Sequence, residues 1–273
     1  MPKKEQLIDA NKKLEIDGLC LKYHQSGSGP PIILIHGLGL SLQEWQKNLE
    51  TLARWGTVYA LDLPGFGDSE DPDETLRAQH LAKIALKFAS ALNLGPAVWI
   101  GHSLGGAVCL WAATLQPQAV RGMVLAASLG LAPHPSLFRR FLGLCIDGFF
   151  ERPSFMFKLY RAYFQAGPWR ILRTIQKSQS HQILRQITRL SMPVLVVNGR
   201  WDPIVSLREG RLLSRRLLKG EWHVLDAPHG LIYTCAGPFN HLLNDFFARH
   251  FGIPLDSIEL ETDDSVEHER LSG

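Results

Sequence analysis

The sequence has no long hydrophobic run. Over its 273 residues no apolar stretch approaches the roughly 20 residues that a bilayer span requires. The N-terminus, Met-Pro-Lys-Lys-Glu-Gln, lacks the apolar centre of a secretory signal. Cysteine is scarce. The four, Cys20, Cys109, Cys145 and Cys235, stand far apart, with neither the density of a disulfide framework nor the paired spacing of a metal site. Reduced thiols in a cytoplasmic protein, and no metal, are the expectation. No internal repeat recurs, which argues against solenoids and propellers. Charge of one sign is not in excess either: 29 basic residues against 26 acidic give a formal net charge of +3, which argues for no particular partner by itself.

What is present is ordinary for a soluble globular protein, with 45% hydrophobic and 20% charged residues. The length fits one large α/β domain with room for an inserted subdomain. Leu14–Ile16 and Leu19–Tyr23 read as a hairpin around Asp17-Gly18. Ile32–Ile35 is apolar throughout, as a strand buried on both faces of a parallel sheet should be. A helix is expected over Gln43–Arg54, a strand over Thr57–Leu61, a long amphipathic helix over Glu74–Leu92 and a strand over Ala97–Ile100. The run Ala107–Leu115 predicts another helix and Gly122–Ala127 another strand. The alternation stops near Pro133 and resumes after Leu190, with strands at Val194–Val197 and Trp222–Leu225 and helices at Ser206–Leu218 and Phe239–His250. Strands separated by helices imply right-handed crossovers and a mostly parallel sheet. Residues 255–273 are acidic with few large apolar side chains, and a disordered tail is expected there.

One short stretch carries chemistry. Gly101-His102-Ser103-Leu104-Gly105 lies directly between the strand Ala97–Ile100 and the helical run from Ala107. A serine with glycines two positions away on each side, at a strand-to-helix turn, is the nucleophile elbow pattern. The turn also presents backbone N–H groups at a helix N-terminus, where they can stabilise an oxyanion. A serine hydroxyl is a poor nucleophile until a base takes its proton, and a carboxylate must fix that base's tautomer. Functional groups in open α/β sheets gather at the carboxyl ends of strands. Asp202 follows the strand Val194–Val197, and His229 follows Trp222–Leu225, in the order Ser–Asp–His. His36-Gly37-Leu38-Gly39 follows Ile32–Ile35, so the Leu38 N–H is a candidate second oxyanion donor beside that of Leu104. The bland readings are a turn serine that caps a helix and an Asp-Pro turn at Asp202. The three residues in order, each behind its own strand, favour catalysis.

With these residues in place the chain resembles the α/β-hydrolase fold superfamily, in its serine esterase and lipase-like branch. The resemblance runs from about Leu14 to Phe251. It rests on His36-Gly37, the loop Asp62–Ser69, Gly101–Gly106, Gly199-Arg200-Trp201-Asp202-Pro203 and Pro228-His229-Gly230. It implies an eight-stranded, mostly parallel sheet flanked by helices, with a core over residues 1–132 and 191–254 and a helical cap over 133–190. Pro228 stands where many relatives have glycine.

The insert is rich in aromatics and in basic residues. Phe155, Leu159, Tyr160, Tyr163 and Phe164 fall at helical spacing and give one broad apolar face, which reads either as packing on the core or as the wall of an acyl pocket. His36, Gly37, His102, Phe141, Phe155, Leu159 and Tyr163 are the candidate substrate-binding residues. Arg139, Arg140, Arg152, Lys158, Arg161, Arg170, Arg173, Lys177, Arg185 and Arg189 stand against only Asp147 and Glu151 in the insert. That excess reads as a solvated face, or as a surface for an anionic carrier protein or membrane; with this catalytic frame a nucleic-acid partner is not expected. The leading expectation is a cofactor-independent serine hydrolase of hydrophobic carboxylic esters. Its alternatives are a carbon–carbon bond hydrolase of ring-cleavage products, a thioesterase or acyl-carrier-protein ester hydrolase, and a hydrolase-fold ligand receptor without turnover.

Overall fold

A two-residue turn starts the sheet. Asp17 and Gly18 both take positive φ, 52° and 78°, the pair of left-handed conformations that a tight hairpin requires. Strand β1 (Lys12–Ile16) therefore folds back on β2 (Leu19–Ser26), with Ile16 opposite Leu19. The computed structural model describes residues 8–9, 12–128, 167, 170, 173–174 and 183–252. In it β3 (Pro31–Ile35), β4 (Thr57–Leu61), β5 (Ala97–His102), β6 (Val120–Ala126), β7 (Val194–Gly199) and β8 (Gly220–Leu225) complete one sheet. Its order is β1-β2-β4-β3-β5-β6-β7-β8. β1 and β2 pair antiparallel, as do β2 and β4, and every pairing from β4 across to β8 is parallel. The chain passes from β3 outward to β4 and then returns to β5 on the other side of β3. That reversal opens a crevice at the carboxyl ends of β3 and β5, where ligands bind in sheets of this kind.

The helices α1 (Leu49–Ala53), α2 (Ala78–Ala91), α3 (Leu104–Leu115), α4 (Leu207–Arg216) and α5 (Ala236–Phe251) cover both faces. Side chains alternate across a strand, so β3 sends Ile33 and Ile35 to one core and Ile32 and Leu34 to the other. The first core joins them to Trp99, Leu125 and Val196, under Leu81, Ala85 and Phe88 of α2, Val108 of α3 and Leu213 of α4. The second packs Val98, Ile100, Val124 and Val197 against Leu52 of α1 and Phe239, Leu243 and Phe246 of α5. Each fully buried side chain of this size contributes about 1.5–3 kcal/mol. The apolar run noted at Ile32–Ile35 is thus two interleaved core faces, and the eight-stranded, mostly parallel sheet matches the expected fold.

Local boundaries differ from expectation where side-chain bonds intervene. The single helix expected over Gln43–Arg54 is a 3-10 turn, Leu42–Trp45, followed by α1. Ser41 caps that turn, and the buried carboxylate of Asp62 takes the Leu42 N–H at 2.7 Å. The helix expected from Glu74 begins at Ala78, because Arg77 is extended at φ −89°, ψ 161°. The elbow helix starts three residues earlier than its apolar run suggested, at Leu104. α4 begins behind a reciprocal cap, with the Ser206 side chain accepting from Glu209 N–H and the Glu209 carboxylate accepting from Ser206 N–H. The last helix begins at Ala236, ahead of the expected Phe239. Of the expected cap, only Gly167, Arg170, Arg173, Thr174 and residues 183–190 are described; the tail 255–273 lies outside the described residues. No helix among the described residues is long and apolar enough to cross a membrane.

Candidate active site

β5 ends at His102 and α3 begins at Leu104, which leaves Ser103 alone at the turn. Its backbone sits at φ 52°, ψ −113°. A non-glycine residue in such a sparsely populated region costs about 1–3 kcal/mol and persists only when its surroundings hold it. Two hydrogen bonds do so: Ser103 N–H donates to Ala126 O at 2.9 Å, and Gly106 N–H donates to Ser103 O at 3.1 Å. Gly105 answers a closer constraint, since a Cβ there would collide with the backbone oxygen of Ile35 at the end of β3. The first turn of α3 is thereby pressed against the end of β3.

The loops after β7 and β8 are tied together by Arg200 N–H to Leu225 O at 2.8 Å and Trp201 N–H to Ala227 O at 3.1 Å. They bring Asp202 beside His229. Asp202 Oδ1 accepts N–H bonds from Ile204 at 2.7 Å and Val205 at 2.9 Å. Its Oδ2 lies 2.8 Å from His229 Nδ1. His229 Nε2 lies 2.9 Å from Ser103 Oγ. The Asp202 side chain is fully buried, and Ser103 and His229 are 4% and 7% exposed, so the chain of bonds is shielded from water that would weaken it. A carboxylate can only accept, which assigns the proton to Nδ1 and leaves the Nε2 lone pair facing the serine hydroxyl. The structure therefore brings Ser103, His229 and Asp202 into one hydrogen-bonded line, in an arrangement able to move a proton from hydroxyl to imidazole.

Leu38 and Leu104 are both buried at the same end of the sheet. Among the described residues, no acceptor takes the N–H of either. The Leu104 N–H opens α3, a helix of 12 residues whose N-terminus favours negative charge.

Three of the candidate substrate-binding residues are committed elsewhere. His36 is fully buried; its Nε2 accepts Leu63 N–H at 2.9 Å and its Nδ1 donates to Gly37 O at 2.7 Å. His102 bonds Glu44 Oε2 at 3.1 Å through Nδ1 and His229 O at 3.1 Å through Nε2. Both nitrogens of each imidazole are thus engaged within the protein, and both side chains tie loops together. Gly37 donates its N–H to Glu44 Oε1 at 3.0 Å, which makes it part of the same framework. Phe141, Phe155, Leu159 and Tyr163 lie outside the described residues. Glu44 was not among the candidates from sequence. Its only sequence signal is a carboxylate set between Leu42 and Trp45, two side chains that prove fully buried.

The loop after β4 is a second organising element. Asp62 is buried, and burial pushes its carboxyl above the usual range, against the N–H bonds from Asp68 and Leu42 that pull it down. From the insert's basic set, Arg170 packs against Gly65 of this loop and pairs with Asp71 at 2.9 Å. Cys109 of α3 is fully buried, and burial pushes its thiol far up, so it stays protonated.

Residues 30–162 match the family model described as alpha/beta hydrolase fold. The chain is 29% identical to the pimeloyl-acyl-carrier-protein methyl ester esterase of Vibrio campbellii, over 72% of this chain and 86% of that one. It is 39% identical to a dihydrolipoyllysine-residue acetyltransferase component of an acetoin cleaving system from Pseudomonas putida, over 45% of this chain; the match spans only 34% of that longer protein. A solved thermophilic esterase from Thermogutta terrifontis superposes with a TM-score of 0.75 at 20% identity, over 88% of this chain and 99% of that one. Sheet order and these likenesses together show that the chain has the alpha/beta hydrolase fold.

Proposed function

We propose that this chain is a serine hydrolase of carboxylic esters with a hydrophobic acyl or alcohol portion, acting through Ser103, His229 and Asp202. The observation that carries the reading is the continuous line from Ser103 Oγ through His229 to Asp202, at 2.9 Å and 2.8 Å. Ser103 Oγ attacks the ester carbonyl as His229 Nε2 takes its proton. The negative oxygen of the tetrahedral intermediate is held by the N–H groups of Leu38 and Leu104, each such donor supplying about 3–4 kcal/mol. Asp202 stabilises the imidazolium. Collapse breaks the ester C–O bond, His229 returns the proton to the leaving alcohol, and an acyl-Ser103 ester remains. Water then gives a proton to His229, adds to the acyl carbon, and the second collapse frees the acid and restores the serine. None of these steps calls on a cofactor.

A panel of p-nitrophenyl esters of rising chain length, run beside a carbon–carbon cleavage substrate, tests the reaction class. Ester turnover with preference for medium or longer acyl chains is expected, with fluorophosphonate labelling abolished in Ser103→Ala. Labelling that persists in that variant overturns the assignment. The similarity to a pimeloyl-acyl-carrier-protein methyl ester esterase, with the basic residues of the insert, favours one finer reading: an ester presented on an acidic carrier protein. A salt-sensitive preference for acyl-carrier substrates, lost when Arg139, Arg140 and Arg161 are neutralised, is its expected result.

A further inference from the structure

Beneath the reacting groups lies a second imidazole–carboxylate pair. Glu44, His102, Gly37 and the backbone of His229 form one connected network, and it joins three separate segments. Glu44 Oε1 accepts from Gly37 N–H at 3.0 Å, immediately before Leu38. Glu44 Oε2 meets His102 Nδ1 at 3.1 Å, in the residue immediately before Ser103. His102 Nε2 meets the carbonyl oxygen of His229 itself at 3.1 Å. The rings of His102 and His229 stand 5.0 Å apart. Side-chain exposure of Glu44 and His102 is 1% and 2%. A buried pair of this kind repays little net stability, and an apolar pair of equal volume would serve packing as well or better. Something other than cohesion keeps it there, and its three contacts show what: the loop bearing Leu38, the elbow and the loop bearing His229 are all pinned to it.

We infer that Glu44 and His102 are a positioning pair for the proposed ester hydrolysis, a buried strut that fixes the Leu38 N–H and the His229 imidazole relative to Ser103. This rests on the serine-hydrolase reading. The proton count supports a strut rather than a relay. The His229 carbonyl can only accept, so His102 Nε2 must carry a hydrogen. One proton then remains to be shared between Nδ1 and Glu44 Oε2, and nothing beyond the carbonyl can receive it. Gly37 closes the network from above, because a Cβ there would lie only 3.0 Å from His102 Nδ1.

The test separates bonding from bulk. Glu44→Gln can keep all three contacts: the amide oxygen accepts from Gly37, and the amide NH2 donates to His102 Nδ1. Glu44→Leu and His102→Leu cannot. With folded, active-site-titrated protein and a p-nitrophenyl ester, Glu44→Leu and His102→Leu should each lower kcat about 100-fold, as misplacement of about 1 Å can. KM should stay within about 3-fold, Glu44→Gln should recover kcat to within about 5-fold of the parent, and the double Leu variant should fall no further than the worse single one. Should the Leu variants fail to fold, Gly37→Ala presses one methyl on the same contact and should lower kcat about 3- to 10-fold with the melting temperature little changed. Parental kcat in the folded Leu variants, or in Gly37→Ala where the Leu variants fail to fold, overturns the strut. So does a folded Glu44→Gln as impaired as Glu44→Leu. Failure of the underlying reading looks different: the parent does not turn over esters, or Ser103→Ala still does.

Discussion

Two imidazoles, 5.0 Å apart, each face a carboxylate through Nδ1 at 2.8 Å and 3.1 Å. His229 has Asp202 and His102 has Glu44. They differ in what stands at Nε2. For His229 it is the hydroxyl of Ser103, which can give up a proton; for His102 it is a carbonyl oxygen, which has none to give. The lesson is that an acid–histidine pair is not in itself catalytic machinery. The third partner decides whether the pair changes charge during a reaction or keeps one arrangement throughout.

The largest losses are expected at Ser103 and His229. Ser103→Ala and His229→Ala should each reduce kcat by about 10⁴–10⁶, because the members of such a unit are lost together rather than additively. Asp202→Asn comes next. It preserves shape but favours the wrong imidazole tautomer and cannot stabilise the imidazolium, so kcat should fall about 10³- to 10⁴-fold with KM nearly unchanged. The equivalent change at Glu44, to Gln, should cost only a few-fold, and the contrast between these two amide substitutions in one steady-state assay is the sharpest measure of the difference between the pairs.

A third pairing shows what the same residue types do near water. Glu221 meets His250 Nε2 at 2.6 Å and Arg249 at 2.7 Å and 2.9 Å on the outer edge of β8. Partial burial pushes its carboxyl up, but the bonds from Arg249 and His250 outweigh that and hold it below its ordinary value. A depressed carboxyl contributes stability that is complete above its unfolded value and is lost as pH falls through the folded one. Glu221→Gln should therefore cost less than about 1 kcal/mol in urea unfolding near pH 7, and the difference should shrink as pH falls below the ordinary carboxylate range. The smallest effect belongs to Cys109. Its raised thiol and complete burial predict no reaction with iodoacetamide in the native enzyme and full labelling once it is unfolded, seen by mass spectrometry.

Much of this was legible in the sequence because the signals were local. The hairpin at Asp17-Gly18, the apolar strand before the elbow and the short motifs around Ser103, Asp202 and His229 each occupy a few consecutive residues. Less legible were features made by bonds across the chain. The segment expected to be one helix from Gln43 is a 3-10 turn ahead of α1, and the first N–H of that turn, at Leu42, is bonded by Asp62, 20 positions away. His102 adjoins Ser103 in the sequence, yet the carboxylate it meets, Glu44, lies 58 positions earlier. Spacing arguments reveal faces of helices and ends of strands. They do not reveal which buried carboxylate a given imidazole will meet.

The sheet also divides the chemistry between two stretches of chain. Ser103 belongs to the stretch of chain that runs through β6, whereas Asp202 and His229 belong to the one that begins with β7, and the two stretches meet where β6 lies along β7. A polypeptide severed between those stretches would give one piece holding a nucleophile without a base and another holding a base without a nucleophile. On the proposed mechanism neither piece would turn over an ester, and turnover would register only their reunion.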